Sequence, residues 1–165
     1  MSHSPSAEKR VLAIDPTHRG VGYVIFEGPE RLIDWGGKHV SGAKNSRSIA
    51  AVEELITYWR PQVLVLEEAS HTSRRRNRVR RLLVALDIRA RERGLTVRKI
   101  SQTKLKCTFL ARGIRNKFQK AQFIAGRFAE LACRLPPERK PWTSEVLRNA
   151  IFDAAGFALA FFDKL

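Results

Sequence analysis

Residues 11–26 read VLAIDPTHRGVGYVIF, and this stretch decides the fold. Residues 11–14 form a continuous apolar run that ends at Asp15 and a proline. A short apolar run before a turn signal is typical of a central strand covered on both faces. Two glycines follow, and a second apolar run begins at Tyr23. The pattern predicts a strand, an acidic tip, a turn and a second strand. A carboxylate at the end of a buried strand is costly unless a metal ion, a hydrogen bond or the sheet rim compensates it.

Another continuous apolar run, later in the chain, also ends in acidic residues. Residues 63–66 read VLVL and are followed by Glu67 and Glu68. If the two strands are parallel neighbours, they lie ~5 Å apart and their carboxyl ends meet at one edge of the sheet. Open α/β sheets carry their sites at that edge. We therefore expect Asp15 and Glu67 to converge there, with Glu68 either facing solvent or supporting a ligand of the site.

The composition indicates one basic domain. The chain has 165 residues, enough for one domain with a proper core. Its formal net charge of +15 indicates a polyanionic partner, most often nucleic acid. The polar first ten residues predict no signal peptide, and the longest apolar stretch contains Asp153 and is too short to span a bilayer. The two cysteines have no CxxC spacing. We expect a cytoplasmic protein with no membrane partner.

Periodicity predicts the remaining elements. We expect residues 1–8 to be disordered and residues 9–165 to form a single domain. Alternation over residues 31–40 predicts an edge strand, and residues 95–100 a short strand. Helical spacing of apolar residues predicts helices over 48–59, 73–94 with Ser73 as its cap, 101–110, 118–132 and 144–162. This order predicts an α/β fold with a five-stranded mixed sheet and helices on both faces.

The last predicted helix carries a polar face as well as an apolar stripe. Glu145, Asn149, Asp153 and Gly156 recur at spacings of three and four, which puts them on one face. Small residues crowd the second half of this helix. They would let it approach the sheet closely and carry Asp153 towards the two acidic strand tips.

Four segments together resemble the RuvC-type Holliday-junction resolvases of the RNase H-like nuclease superfamily. IDPTHRGVGYVIF resembles their opening strands, and PQVLVLEEAS resembles their second motif, in which an acid ends the fourth strand. LKCTFLARGIRNK resembles their basic segment, and FDAAGFALAFF resembles their terminal helix. Four such segments in the family's order, on a basic chain, are more specific than any one of them.

The resemblance implies an RNase H-like fold and a magnesium-dependent endodeoxyribonuclease. Such an enzyme resolves four-way (Holliday) or branched DNA junctions as a homodimer, by phosphodiester hydrolysis. Two Mg²⁺ ions ~4 Å apart would serve each site, with Mn²⁺ as a substitute. The resemblance assigns Asp15 as the bridging ligand, Glu67 and Asp153 as ligands of one ion each, and Lys117 as the cation that neutralises the phosphate.

The same resemblance and the charge pattern together predict the DNA-binding residues. Six arginines fall between Arg74 and Arg81, and they repel one another unless phosphates lie between them. We expect this segment to lie near the dimer interface and the DNA. The predicted nucleic-acid contacts are Arg74, Arg75, Arg76, Arg78, Arg81, Lys106, Arg115 and Lys117.

The chain departs from the family pattern at two places. Thr17 stands where the family usually has glycine. The family's terminal helix has two acids three residues apart, whereas here Asp153 has Ala150 and Gly156 at those distances. Asn149 and Glu145 both remain candidates for the fourth metal ligand. Two other functions stay open: a catalytically impaired RNase H-fold protein that binds junctions, and a YqgF-like nuclease that acts on RNA.

Overall fold

The structure, a computed structural model, describes residues 8–69, 76–135 and 147–162. The order of elements is the predicted one: three strands, a helix, a strand, a helix, a strand and then helices. The strands are β1 (Arg10–Pro16), β2 (Gly20–Glu27), β3 (Leu32–His39), β4 (Val63–Glu67) and β5 (Thr96–Ile100). The helices are α1 (Lys44–Trp59), α2 (Asn77–Glu92), α3 (Gln102–Leu110), α4 (Lys117–Arg127) and α5 (Leu147–Phe162).

The five strands form one mixed sheet in the order β3-β2-β1-β4-β5. β1 pairs antiparallel with β2, which pairs antiparallel with β3, while β4 runs parallel to both β1 and β5. The two apolar runs therefore occupy the middle of the sheet, where helices cover both faces. This confirms the predicted fold class and explains why both runs are continuous rather than alternating.

Each face of the sheet has its own hydrophobic core. Leu12, Ile14, Leu64 and Leu66 pack on the side of α1 and α2. The intervening Val11, Ala13, Val63 and Val65 pack on the side of α3, α4 and α5. Successive side chains of a strand point to opposite faces. Asp15 lies two residues after Ala13, and Glu67 lies two residues after Val65. Both acids therefore lie on the α5 face of the sheet.

Helix α5 is buried nearly all round, which is more than the predicted stripe implied. Residues 149–160 are all buried. The helix lies so close to the sheet that a Cβ atom at Gly22 would clash with the backbone of Ala150. Gly156 serves a different contact, because its Cβ position lies 3.4 Å from side-chain atoms of both Leu105 and Lys120. The small residues thus allow α5 to pack closely against the sheet on one side. On another side they allow it to pack closely against α3 and α4.

Several predicted boundaries shift. Helix α1 begins at Lys44 rather than at residue 48. Helix α4 ends at Arg127 because Phe128 adopts an extended backbone, and a 3-10 helix follows over Ala129–Arg134. The predicted cap Ser73, the start of the last helix at residues 144–146 and nearly all of the predicted disordered segment lie outside the described residues. No helix within the described ranges is long and apolar enough to cross a membrane.

Candidate active site

The two acidic strand tips lie side by side, as predicted. The parallel register between β1 and β4 ends at the pair Ala13 and Val65, and Asp15 and Glu67 each lie two residues further on. Asp15 is 1% exposed and Glu67 is 3% exposed. The Nε2 atom of Gln102, at the start of α3, donates a hydrogen bond of 3.0 Å to Oε1 of Glu67. The sequence analysis did not predict Gln102 as a site residue, because a glutamine outside any recognisable motif does not indicate a function.

Thr17 closes the turn that follows Asp15. Its backbone N–H donates to the carbonyl of Gly20 at 2.7 Å, and its Oγ1 accepts from the backbone N–H of Arg19 at 3.1 Å. The residue is buried. The departure from the family's usual glycine is therefore accommodated, because the hydroxyl stabilises the turn from inside.

Basic side chains from two helices hold the carbonyls of this turn. Arg78 Nη2 donates to the Thr17 carbonyl at 3.0 Å, and Lys44 Nζ donates to the His18 carbonyl at 2.7 Å. Arg78 also donates to Oδ1 of Asn45 at 2.9 Å and accepts on its carbonyl from Nδ2 of that residue at 3.1 Å. Arg78 thus links α2, α1 and the acidic tip. Its predicted contact with DNA stays a prediction, beside this internal role.

Asp153 of α5 is held between two ammonium groups. Lys120 Nζ lies 2.6 Å from Oδ1, and Lys117 Nζ lies 3.0 Å from Oδ2. The side chain of Lys120 is only 10% exposed, whereas that of Lys117 is 60% exposed. Burial by itself raises the pKa of Asp153, but Lys120 and then Lys117 outweigh it and lower the pKa below its ordinary value. The carboxylate is therefore ionised at neutral pH.

Lys120 is the main site residue that the sequence analysis missed. It follows Lys117 by three residues, and Asn116 caps the helix by accepting from the backbone N–H of Gln119 at 2.8 Å. A helix that begins at this cap puts both lysines on one face. The signal was therefore present, but only the packing of α4 against α5 distinguishes the buried lysine from the exposed one.

Of the two candidates for the fourth metal ligand, the structure describes Asn149. Asn149 is buried one turn before Asp153, and its Nδ2 has no hydrogen-bond partner in the part of the chain that the structure describes. Within the described part of the chain, this buried amide N–H group still requires an acceptor. Glu145 lies outside the described residues.

A cleft of about 520 Å³ opens beside these groups. Its lining comprises Asp15 and Asp153, an apolar wall and a set of cations: Leu105, Phe109, Leu110, Ile114, Phe157, Lys106, Arg115, Lys117 and Lys120. Glu67 is connected to the cleft through Gln102, which is part of the lining. The predicted DNA contacts Lys106, Arg115 and Lys117 thus come together around one opening.

A larger cleft lies on the other side of the sheet. It measures about 1230 Å³ and runs between β3 and α1. Within it the Tyr23 hydroxyl and the Trp59 indole N–H both donate to Oδ2 of Asp34, at 2.9 and 3.1 Å. Burial raises the pKa of Tyr23, and the hydrogen bond to Asp34 raises it further. We favour the smaller cleft as the functional one, because it alone contains the acidic strand tip and Asp153.

The arginine-rich segment is described only in part. Arg74 and Arg75 lie outside the described residues, while Arg76 and Arg81 are exposed at the start of α2. These two side chains are available to phosphate groups. Their predicted contact with DNA stays a prediction.

The donor chemistry of the site fits a hard divalent cation. Asp15, Glu67 and Asp153 offer carboxylate oxygens, the ligands that such ions prefer. However, among the described residues no three His, Cys, Asp or Glu side chains lie close enough together to hold a metal ion. Both oxygens of Asp153 are instead in contact with lysine ammonium groups of α4. A bound cation must therefore compete with these lysines.

The chain is similar to known resolvases. It is 28% identical over 139 residues to the crossover junction endodeoxyribonuclease RuvC of Akkermansia muciniphila, covering 78% of this chain and 81% of the relative. The RuvC structure of Thermus thermophilus is 22% identical, with a TM-score of 0.66 and 93% of each chain covered. The fowlpox virus Holliday junction resolvase is 13% identical, with a TM-score of 0.57 and 94% of this chain and 99% of the other covered.

These comparisons confirm the predicted resemblance and the fold. No family model matches the chain. The Thermus thermophilus RuvC has also been solved with its Holliday junction substrate, and that structure is 20% identical to this chain with a TM-score of 0.66. At these identities the structural likeness establishes the fold of the RuvC-type resolvases, while the roles of individual residues rest on the geometry described above.

Proposed function

We propose that this chain is a structure-selective endonuclease that resolves four-way or branched DNA junctions by metal-dependent phosphodiester hydrolysis. The observation that carries the proposal is the pair of buried carboxylates, Asp15 and Glu67, at neighbouring parallel strand tips. They belong to the sheet face that α5 and Asp153 cover, beside a cleft rimmed with cations. The names of the similar proteins, which are junction endonucleases and resolvases, support the choice of substrate.

Asp15, Glu67 and Asp153 would hold Mg²⁺, with two ions per site expected and Mn²⁺ as a substitute. Bound Mg²⁺ supplies Lewis-acid stabilisation of the charge that develops on the phosphate. Gln102 orients the Glu67 carboxylate by donating to one of its oxygens. The turn contacts of Arg78 and Lys44 restrain the backbone beside Asp15.

The two lysines at Asp153 have different tasks in this proposal. Lys117 lines the cleft and its side chain is 60% exposed. Its ammonium group can therefore contact a phosphate oxygen and neutralise its charge without leaving the core of the protein. Lys120 is buried, so its ammonium stays with Asp153 and keeps that carboxylate ionised and oriented. Lys117 is thus the proposed catalytic cation, and Lys120 is a positioning residue.

We further propose that the chain acts as a homodimer, because paired nicks across a four-way junction require two active sites. The outer face of α2 supports this: Val84 and Ile88 lie one turn apart and are 58% and 54% exposed. An exposed apolar pair beside arginines suits a second copy of the chain near the DNA. Sedimentation should give a dimer mass that Ile88→Glu lowers. A wild-type monomer both free and on DNA would refute this part.

The decisive experiment is cleavage of a synthetic four-way junction in Mg²⁺, beside a linear duplex and an RNA–DNA hybrid. Glu67→Gln and Asp15→Asn should abolish symmetric nicking while junction binding persists, because they remove metal ligands and no phosphate contact. Glu68→Gln is the matched control: Glu68 follows Glu67 directly but is exposed, and we expect its variant to cut normally. Preference for the hybrid would instead favour the YqgF-like function on RNA.

One observation favours a second candidate, a junction-binding protein with impaired catalysis. The positions three residues from Asp153 are Ala150 and Gly156, and the acid itself contacts two lysines. Tight, salt-sensitive junction binding with no cleavage in either Mg²⁺ or Mn²⁺ would establish that function. Cleavage in either metal would exclude it.

A further inference from the structure

We propose that the buried ammonium group of Lys120 takes the place of one of the two expected metal ions, so that each site binds a single divalent cation. This inference rests on the proposed endonuclease function and changes its metal count. The expectation of two ions comes from the family resemblance alone, whereas the contacts of Asp153 in this chain favour one. Asp15 and Glu67 would hold that ion, and Asp153 would serve as the counter-ion of Lys120.

The ligand set for a second ion is incomplete around Asp153. An ammonium group contacts each of its oxygens, because Lys120 Nζ lies 2.6 Å from Oδ1 and Lys117 Nζ lies 3.0 Å from Oδ2. The residues three positions before and after it are Ala150 and Gly156, which offer no side-chain ligand. Over the described ranges, no group of three His, Cys, Asp or Glu side chains is placed to hold a metal ion. A cation that approached Asp153 would first have to displace an ammonium group.

Lys120 fills the space beside Gly156, which is one of the two positions where the second acid of the family pattern would fall. A Cβ atom added to Gly156 would lie 3.4 Å from Cδ of Lys120 and 3.6 Å from its Nζ. A carboxylate at this position would therefore meet the ammonium group directly. The lysine side chain is only 10% exposed, so it is packed against α5 rather than extended into solvent. The chain thus lacks an acid at the place where Lys120 brings a positive charge.

Asp15 and Glu67 are sufficient for one Mg²⁺ ion. Mg²⁺ keeps several of its waters and is usually bound through one or two carboxylates together with phosphate oxygens of the substrate. The two side chains come from neighbouring parallel strands, and Gln102 orients one of them by donating to Oε1 of Glu67. The first ion therefore does not need Asp153 as a ligand.

A fixed ammonium group supplies part of what a second ion would supply. In a two-ion site, each cation stabilises negative charge on an oxygen of the reacting phosphate. A buried ammonium group does the same through its charge, which acts more strongly away from water and needs no reorganisation during the reaction. Hydrolysis forms a bond from a water oxygen to phosphorus and breaks the bond to the leaving oxygen, while one proton leaves the water and one reaches the leaving oxygen. Lys120 keeps its protons throughout and acts only through its charge.

The first test counts bound Mn²⁺ by electron paramagnetic resonance in the full chain, alone and with a four-way junction frozen before it is cut. Two Mn²⁺ ions that share a bridging carboxylate are magnetically coupled and give a spectrum distinct from that of an isolated ion. We expect one uncoupled ion per chain in both samples, and Asp15→Asn and Glu67→Gln should remove it. The Asp15→Asn complex also provides the correction for ions bound to the DNA itself. Coupled ions in the wild type would overturn the inference, whether or not the junction is cut.

The second test measures how the single-turnover rate of cleavage depends on Mg²⁺ concentration. On a double-logarithmic plot below saturation, the wild type should give a slope of about one, because one ion binds. Lys120→Met removes the charge but keeps the length of the side chain, and it should lower the rate at saturating Mg²⁺ about 100-fold or more. Adding Gly156→Asp to Lys120→Met supplies the missing acid, so this double variant should recover much of the rate with a slope of about two.

Lys117→Met is the matched control for these variants. It removes the other ammonium group at Asp153, the one on the 60% exposed side chain, and leaves Lys120 in place. We expect a lower rate from the loss of a phosphate contact, with one bound Mn²⁺ ion and a slope of about one. A slope of about two in Lys117→Met would mean that Lys120 alone does not exclude the second ion, and the inference would fail.

The outcomes separate this inference from the proposed function. If Lys120→Met cuts at the wild-type rate, or if the double variant stays as slow as Lys120→Met, Lys120 does not replace an ion and the endonuclease still stands. Recovery with a steeper slope distinguishes lost charge from lost packing, which an added acid would not repair. One bound ion without cleavage would refute the endonuclease and leave the metal count intact. Thermal unfolding verifies that each variant is folded, and the ion count of the wild type decides the inference if a variant is not.

Discussion

The two faces of the sheet are made from the same strands yet differ in chemistry. Facing α1 and α2, β1 and β4 contribute leucine and isoleucine to the core, and Ser48 is the one buried polar residue of the described part of α1. Facing α3, α4 and α5, the same strands end in Asp15 and Glu67, and the covering helices add buried charges of their own. The first face stabilises the domain, and the second combines a core with a site.

The difference teaches that burial of charge is tolerated where opposite charges meet. Lys120 and Asp153 would each be costly alone, since a buried ion without a partner keeps its full desolvation penalty. Together they satisfy one another, with Lys117 at the solvent side. Four variants, in order of decreasing expected effect, test this contrast between the faces.

Removing one member of the buried pair should have the largest effect. Asp153→Leu leaves the Lys120 ammonium without its carboxylate and should lower the free energy of unfolding by about 3–5 kcal/mol. The double variant with Lys120→Met should recover most of that loss, because both charges are then absent. Leu82→Ala, a core truncation on the other face, should cost about 2–5 kcal/mol and leave cleavage by the folded fraction intact.

Denaturant unfolding and cleavage assays measure both properties. Equal stability of Asp153→Leu and the wild type would mean that Lys120 finds another partner on this face. Loss of cleavage by the folded fraction of Leu82→Ala would mean that the two faces are not independent.

Gly22→Ala should disturb the contact that brings α5 to the sheet. The new methyl group would meet the backbone of Ala150, which cannot move without shifting α5 and with it Asp153. We expect a loss of about 1–3 kcal/mol, as for other overpacked cores. Gly126→Ala is the matched control, because nothing lies within 4 Å of its Cβ position in α4. That variant should gain about 0.5–1 kcal/mol from better helix propensity. A thermally neutral Gly22→Ala would contradict the close approach.

Arg78→Gln should separate positioning of the acidic tip from binding of DNA. It removes the hydrogen bonds to the Thr17 carbonyl and to Asn45, so we expect kcat to fall about tenfold, as for other groups that support metal ligands. Arg81→Gln, on the same helix but exposed, should instead weaken binding and lower its salt dependence by about one unit. Kinetics at saturating junction and salt titrations distinguish the two. A purely binding defect in Arg78→Gln would contradict its positioning role.

Asp87→Asn, in α2, should have the smallest effect. Asp87 pairs with Lys99 of β5 at 2.6 Å and with Arg91. Burial raises the pKa of Asp87, but Lys99 and Arg91 together lower it below its ordinary value. Arg91 is 60% exposed and Lys99 is 45% exposed, so solvent screening limits the loss to below about 1 kcal/mol.

The pH dependence of this pair has a definite sign. A carboxyl whose pKa is lower in the folded state contributes stability above its unfolded pKa of about 3.9. That contribution disappears as the pH falls through the folded pKa. The wild type and Asp87→Asn should therefore differ at pH 7 and converge in strong acid, as thermal unfolding across pH would measure. A difference that grew on acidification would refute the ion pair.

The strands of the sheet could be predicted from the sequence, whereas the bounds of the helices could be predicted only approximately. Residues 11–14 and 63–66 are continuous apolar runs that end in acids, a local pattern that does not depend on the rest of the chain. Because successive side chains of a strand point to opposite faces of the sheet, Asp15 lies on the same face as Ala13. In contrast, the helical spacing of apolar residues predicted that α4 would continue to residue 132. The helix instead ends at Arg127, because Phe128 has an extended backbone.

The sequence by itself determined the sheet, the acidic strand tips and the basic character, because these depend on short runs, period-two alternation and composition. Only the tertiary structure decided that Lys120 is buried against Asp153, that Arg78 holds the turn at Thr17, and that an apolar wall stands beside the acids. Each of these contacts joins residues more than 30 positions apart in the chain or on different helices. Their partners are chosen by the packing of α2, α4 and α5 on the sheet, which no local pattern of residues specifies.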